Sequence, residues 1–371
     1  MATAGQRVAV ARRIPLDDIR WNLYPRVAVH HHARCWIEIQ KKLLRASKTV
    51  DAYARGLDDY LRLCADRELP IEQATKGQIA CYVEEMATRI HRTRASCRNI
   101  KAGLANRTIL QRLTAVRLFY DYLMETGVRD TNPVGRGRYT PGTGFFGFRQ
   151  RGLVRSYERL PWIPSDQEWE RFLQEVPAES LRNQLMICLA YDGALRRSEL
   201  LSLSFADIDF SQQKITIRPE IAKCGTRRVV FYADVTGDLL STYVKRRHMV
   251  KGGRSASPNQ PVFVSESHRN LCEPLTFEMW NKIVRAVALR ASLAEFTTHT
   301  FRHLRLTDLA RSGLELHEIA TYAGHRSLNT TMKYIHLGSQ ELGERVRRAT
   351  LSLDRRNRAT FRRPQDGNTN D

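Results

Sequence analysis

Apolar residues recur every three or four positions along most of this chain, and the segments where they do so read as helices. SKTVDAYARGLDDYLRLCADREL carries Val50, Tyr53, Leu57, Tyr60, Leu61 and Cys64 at that spacing, with Ser47 placed as the N-cap. TKGQIACYVEEMATRI repeats the pattern from Thr75. ANRTILQRLTAVRLFYDYLMETG continues it through Ile109, Leu113, Val116, Leu118, Phe119, Tyr122 and Leu123 until Gly127 stops it. Residues 41–132 are therefore expected to form a small helical bundle. Residues 1–40 lack the period and read as an irregular N-terminal extension. TNPVGRGRYTPGTGFFGFRQRGLVRSYERLPWIP is rich in glycine and arginine with Glu158 as its only acid, and predicts a basic linker over 133–163.

The pattern resumes near Pro164. In SDQEWERFLQEV, Ser165 followed three residues later by Glu168 is a capping box. LRNQLMICLAYDGA is an almost wholly apolar helix. KITIRP and TRRVVFYA switch to a period of two with β-branched residues, which predicts a strand pair. LTFEMWNKIVRAVALR, TFRHLRLTDLARSG, LELHEIATYAG and SLNTTMKYI return to helix, each bounded by Gly, Ser or Asn. The fold class expected is mainly α: a helical bundle, then an α-rich domain over 164–350 with a small antiparallel sheet, then a basic, partly disordered tail over 351–371.

Charge changes this picture most. Lys and Arg number 60 against 39 Asp and Glu, a net +21 with pI near 10.1, which calls for a polyanionic partner, most simply nucleic acid. Candidate phosphate contacts are Arg89, Arg92, Arg94, Arg98 and Lys101 in the acid-free run RIHRTRASCRNIK, with Arg149 and Arg151 in the linker. No apolar run approaches the ~18 residues a membrane span needs. The opening MATAGQRVAVARRIPLDD has no secretory h-region. An odd set of seven cysteines without a CxxC pair fits a reducing, cytoplasmic compartment. HHHARC, His30 to Cys35, has no second ligand cluster and reads as a polar loop, and HEIAT lacks the second histidine of a zinc motif; no metal and no cofactor is expected.

The second domain collects chemistry in four places. In YDGALRRSELLSL, Gly193 breaks a helix, Arg196 follows, and Glu199 lies three residues on where it can hold the arginine. RPEIAKCGTRRVVFY puts Lys223 in the turn of the hairpin. In HTFRH, His299 and Arg302 share a helical face. AGHRSLNTTMKYIH has His325 just after a helix-ending Gly324 and Tyr334 nine residues later. His303 and His336 read as packing residues.

Taken in this order, Arg, Lys in a β-hairpin, His-x-x-Arg, Gly-His and Tyr nine residues later resemble the tyrosine recombinase (phage integrase) family. The resemblance covers 164–345, and the 41–132 bundle is similar to the family's core-binding domain, down to SKTVDAYARGLDDYL and the Asn132-Pro133 pair. Two departures keep every functional group: GALR where GLR is usual, and Cys224 after Lys223 where Gly is usual. The resemblance implies Tyr334 as nucleophile, Arg196 and Arg302 as phosphate clamps, Lys223 as general acid for the leaving 5′-hydroxyl, His299 as acid/base partner, His325 as phosphate donor and Glu199 as support for Arg196. It also implies a site-specific recombinase for integration, excision or transposition, acting through a 3′-phosphotyrosyl intermediate on double-stranded DNA. Its two domains would clamp the duplex, and four copies would make up the synapse.

The residue types suit that chemistry. Two arginines and a histidine can neutralise the non-bridging oxygens of a phosphodiester as its pentavalent centre forms. Carboxylates, which would hold Mg²⁺, would repel the phosphate here. A free tyrosine has a pKa near 10, so only about one in a thousand is ionised at pH 7 and it needs help to attack. A type IB topoisomerase shares this chemistry, and a non-catalytic DNA-binding protein could share the fold. The bundle favours a recombinase over the first, and the complete set of reactive residues speaks against the second.

Overall fold

The structure, a computed structural model, describes residues 19–92, 100–135, 153–155, 160–250 and 258–337, in two compact units divided between residues 158 and 159.

The first unit is helical: α1 (Pro25–Val29), α2 (His31–Lys42), α3 (Ser47–Asp66), α4 (Lys76–Thr88) and α5 (Asn106–Glu125), with a hairpin of β1 (Ile90–Arg92) and β2 (Ile100–Ala102) between α4 and α5. α3 and α5 pack closely because Gly56 has no side chain; a Cβ there would lie 3.2 Å from that of Ala115. Around this seam lie Trp36, Tyr60, Tyr82, Phe119 and Tyr120, all buried. The Tyr60 and Tyr120 hydroxyls meet at 2.7 Å, and Tyr120 also donates to the Ile71 carbonyl, so the polar tips of the rings are satisfied inside the core.

Two expectations are corrected in this unit, and one element, the β1–β2 hairpin, was not anticipated. Residues 1–40 are not irregular throughout, because α1 and most of α2 lie within them. Ala33, Trp36 and Ile37 bury one face of α2, and His30 caps it, its Nδ1 accepting from the Ala33 amide. Ser47 is the first residue of α3, with Ala46 as its N-cap. The basic run after Thr88 is a hairpin in its described parts, pairing Ile90 with Ala102 and Arg92 with Ile100. Of the 133–163 linker, Val134, Leu153 and Val154 pack against the core of this unit.

In the second unit the capping box at Ser165 starts α6 (Asp166–Glu175). There follow α7 (Leu181–Asp192), α8 (Arg197–Leu201), strands β3 (Ile208–Asp209), β4 (Lys214–Ile217) and β5 (Arg228–Phe231), then α9 (Asp234–Val250), α10 (Phe277–Arg290), α11 (Thr300–Arg311), α12 (Leu316–Ala323) and α13 (Leu328–Leu337). The strands form one antiparallel sheet in the order β3-β4-β5. Alternation sends Ile215, Ile217, Arg228 and Val230 inward, the last beside Gly193. Phe172, Phe296 and Phe301 stack and cross near α6 and α11, with Trp280 against Phe301, and fix the start of α11. The fold is the mainly helical one expected, with a small three-stranded sheet in the second unit. Among the described residues no helix is long and apolar enough to cross a membrane. The 351–371 tail lies outside them.

Candidate active site

Two turns build the site. α7 ends at Asp192, and after Gly193 the chain passes through Ala194 at φ +46°, a left-handed conformation that costs a residue with a Cβ about 1–2 kcal/mol. α12 ends at Ala323, and Gly324 follows at φ +62°, where glycine is at home and where a Cβ would press to 3.1 Å from Arg228 Cδ. The carbonyls at these turns receive guanidinium groups. Arg302 on α11 donates Nη1 to Ala194 O at 2.7 Å and Nη2 to Ala323 O at 2.6 Å, and Arg196 donates Nη2 to Gly324 O at 3.2 Å. Carbonyl dipoles thus hold two like charges in one place.

A buried carboxylate supplies the rest of the balance. Glu199, 0% exposed, accepts from the Arg196 amide and Arg196 Nη1, each at 2.8 Å, and from both terminal nitrogens of Arg228 at 2.9 and 2.6 Å. Arg228 is anchored in turn by the Tyr322 carbonyl at 3.0 Å. Burial pushes the Glu199 carboxyl up, but Arg228, the Arg196 amide and the Arg196 charge together hold it below the usual range. Arg302 is lowered to about 9, first by burial and then by Arg196, and is still charged at neutral pH.

His325 and Tyr334 complete the cluster. His325 Nε2 lies 2.9 Å from Arg302 Nη2, and its Nδ1 lies 2.9 Å from Thr331 Oγ1. A guanidinium only donates, so Nε2 accepts and the proton sits on Nδ1. Burial and then Arg302, Arg196 and Arg228 lower this imidazole to about 3, so it is neutral at pH 7. Tyr334 on α13 is 4% exposed, packed with Ala194, Leu306, Ile319 and Ala323, and stacked on His325 with ring centroids 6.1 Å apart. Its hydroxyl lies 3.0 Å from His303 Nδ1. Burial raises the tyrosine pKa, and Arg302 and Arg196 only partly pull it back.

The structure therefore brings together Arg196, Glu199, Arg302, His325 and Tyr334. His299 is the N-cap of α11, exposed, with its ring 6.4 Å from that of His303. Its pKa is lowered by partial burial and then by Arg197, Arg302, Arg196 and Lys223, so it faces the same cations. Lys223 is exposed in the loop from β4 to β5, and that loop is tied to the residue after His325 by Arg326 Nη2 donating to Cys224 O at 3.1 Å.

Two residues of the site were not anticipated. His303, read as packing, touches the Tyr334 hydroxyl; its place one turn after His299 was the available signal. Arg228 was not singled out, although an arginine at an inward position of an alternating strand is itself unusual. His336 belongs to α13, its side chain outside the described residues.

Among the expected DNA contacts, Arg89 is corrected. It donates to Asp59 at 2.7 and 3.1 Å and to Glu85 at 2.8 and 2.5 Å, so its charge is balanced inside the bundle. Arg92 and Lys101 lie on β1 and β2. Arg94, Arg98, Arg149 and Arg151 lie outside the described residues.

Comparison with known proteins agrees with this geometry. The model of the phage integrase family matches residues 164–341, and that of the phage integrase N-terminal SAM-like domain matches residues 37–127. Tyrosine recombinase XerC of Pediococcus pentosaceus is 25% identical over 310 residues, covering 82% of this chain and 92% of its own. Tyrosine recombinase XerA of Pyrococcus furiosus is 28% identical over 213 residues, covering 55% of this chain and 70% of its own. The fold is shared with XerH site-specific recombinase bound to palindromic difH substrate, a post-cleavage complex, at TM-score 0.62 and 18% identity over 85% of this chain and 84% of that one. It is shared also with the Tn1549 transposon integrase in complex with a circular intermediate DNA, at TM-score 0.57 and 16% identity over 84% of this chain and 98% of that one.

Proposed function

The chain belongs to the tyrosine recombinase (phage integrase) family of DNA breaking and rejoining enzymes, and on that premise we propose that it exchanges strands at a specific DNA site of a mobile element, with Tyr334 as nucleophile. The observation that carries this reading is the convergence of Arg196, Arg302, His325 and Tyr334 on the two turns at Ala194 and Gly324.

A scissile phosphate entering this cluster would place its non-bridging oxygens on Arg196 and Arg302, whose guanidinium groups are already oriented by carbonyls and by Glu199. Such preorganised donors need no rearrangement as charge develops. The phosphate would replace His325 Nε2 as an acceptor for Arg302. Its negative charge would also raise the imidazole pKa, so that His325 takes up a proton and becomes a further donor. Lys223 would protonate the leaving 5′-oxygen, its loop held near the site through Arg326 and Cys224. His299, facing the same arginines, would assist proton movement. The 3′-phosphotyrosyl ester keeps the energy of the broken bond, so a 5′-hydroxyl from a second duplex can reseal it without a nucleotide cofactor.

DNA binding would be divided between a domain at about 41–132, a basic linker at 133–163 and the catalytic domain at 164–350, with a tetramer as the synaptic form and the cytoplasm as the place of action. The bundle's basic hairpin and the arginine-rich stretch between the two family matches support the first part. The length of the linker and of the first 40 residues is what favours an element-borne enzyme.

The mechanism is expected to run without a divalent metal. Glu199 is fully engaged by two arginines, and among the described residues no group of three His, Cys, Asp or Glu could hold a metal ion. Cleavage of a nicked suicide duplex, followed as protein–DNA adduct on a denaturing gel, should proceed equally in Mg²⁺ and in excess EDTA. Adduct formation that requires Mg²⁺ would contradict the arginine-based account.

A further inference from the structure

A tyrosine hydroxyl carries its proton at neutral pH, and burial raises the pKa of Tyr334 further, offset only in part by Arg302 and Arg196. Forming the phosphotyrosyl bond therefore requires an acceptor for that proton. Arg196, Arg302 and Lys223 carry only donors and cannot serve. The position of His299, the family's acid/base candidate, is at the exposed end of α11, and among the described residues the tyrosine hydroxyl has one hydrogen-bond partner, His303 Nδ1 at 3.0 Å.

We propose that His303 is the general base of the cleavage step and the general acid of the rejoining step, exchanging a proton between its Nδ1 and Tyr334 Oη. The inference rests on Tyr334 being the nucleophile. In cleavage the Tyr334 oxygen forms its bond to phosphorus, its proton passes to His303 Nδ1, and the bond from phosphorus to the 5′-oxygen breaks, that oxygen receiving a proton from Lys223. In rejoining the movements reverse. His303 is built for the acceptor role. Its ring lies 5.7 Å from that of Tyr334, tilted by 33°, which places the nitrogen on the hydroxyl. The groups that face it are His299, which caps its helix, Arg302 on that helix, His325 in the turn after α12, and Lys333 and Tyr334 on α13. Burial, then His299, Arg302 and Lys333, lower its pKa to about 4, so at neutral pH the ring is uncharged; in the tautomer with the proton on Nε2, Nδ1 accepts from the tyrosine. An incoming phosphodiester brings the negative charge that raises this basicity as the proton arrives. His299, one helical turn away and exposed, offers the next position for the proton on its way to solvent.

The test compares single-turnover cleavage by wild type, His303→Asn, His303→Gln, Lys223→Ala and Tyr334→Phe. Each acts on an ordinary suicide duplex and on one whose leaving 5′-oxygen is replaced by sulfur. Asn and Gln can accept the tyrosine hydrogen bond but cannot take its proton. A thiol leaves as an anion without an acid, so sulfur relieves defects in leaving-group protonation alone. Thermal melting and DNA affinity measured in parallel identify any variant that fails to fold. The expected result is that both His303 variants lose about 10²-fold or more in rate on both substrates, as removal of a general base does, while Lys223→Ala recovers on sulfur. Wild-type rates for folded His303→Asn and His303→Gln, or recovery of either on sulfur, would overturn the proposal. Adduct from Tyr334→Phe would instead overturn the reading of the nucleophile on which it rests.

Discussion

Tyr334→Phe is expected to abolish covalent protein–DNA adduct while leaving folding and DNA affinity almost unchanged. The substitution removes one oxygen and keeps the ring, so the packing with Ala194, Leu306, Ile319 and Ala323 and the stacking on His325 persist. The loss to stability is one hydrogen bond, that to His303, a cost of about 0.5–1.5 kcal/mol. Chemistry is affected far more, because the oxygen that would be joined to the 3′-phosphate is the one removed. Arg302→Lys offers an informative contrast. A lysine keeps the charge but cannot bridge the Ala194 and Ala323 carbonyls while presenting a fork to phosphate, so a trace of adduct should remain. Denaturing gels of both variants, beside gel shifts of the intact complexes, separate loss of the nucleophile from loss of the clamp. Normal adduct yield from Tyr334→Phe would show that the attacking group lies elsewhere.

Glu199→Ala is expected to be the most destabilising single change at the site. It removes the carboxylate that receives both terminal nitrogens of Arg228 and one of Arg196, in a place with no exposure to water. Breaking a buried ion pair by deleting one partner costs about 3–5 kcal/mol. For a unit of this size that corresponds to a fall in melting temperature of about 10 °C. Replacing Glu199 and Arg228 together, as Glu199→Met with Arg228→Met, should recover only part of that stability, because it removes the buried Arg228 charge but leaves Arg196 without its carboxylate. It should not recover cleavage, since Arg196 has still lost its anchor. The same carboxylate makes stability depend on acid. Its folded pKa lies below its unfolded value, so its contribution is complete above the unfolded carboxyl range and is lost as pH falls through the lowered folded value. Melting temperatures of Glu199→Gln should therefore fall less steeply than those of wild type between neutral and acidic pH. Parallel curves would mean that Glu199 carries no such linkage.

What the sequence revealed and what it hid follow the range of the interactions. The Ser165 cap, the helix that begins at Thr75 and the alternation of β4 and β5 are local, and each was legible from a few residues. So was the Gly324 turn, because only its backbone conformation had to be inferred. α2 was hidden for a local reason: only Ala33, Trp36 and Ile37 carry its buried face, too few apolar positions to set a period among its histidines. The remaining errors are contacts between distant residues. Arg89 reads as free basic charge until Asp59, thirty residues earlier, is seen to bind it. Arg228 meets Glu199 across 29 residues and His303 meets Tyr334 across 31, distances at which periodicity and spacing say nothing about which side chains touch. The family pattern assembled most of the site, but it ranks residues by type and order. It therefore favoured His299, whereas the hydrogen bond to the tyrosine belongs to the histidine one turn further on.

The central claim is that this cluster attacks DNA through Tyr334, and it is tested most directly by finding the bond. Wild-type protein would be trapped on a suicide duplex and digested with nuclease and trypsin, and the nucleotide-bearing peptide sequenced by mass spectrometry. The peptide that follows Lys333, YIHLGSQELGER, contains a single tyrosine. The account predicts a 3′-linked nucleotide on Tyr334. A nucleotide on any other residue, or one attached through its 5′-phosphate, would contradict it.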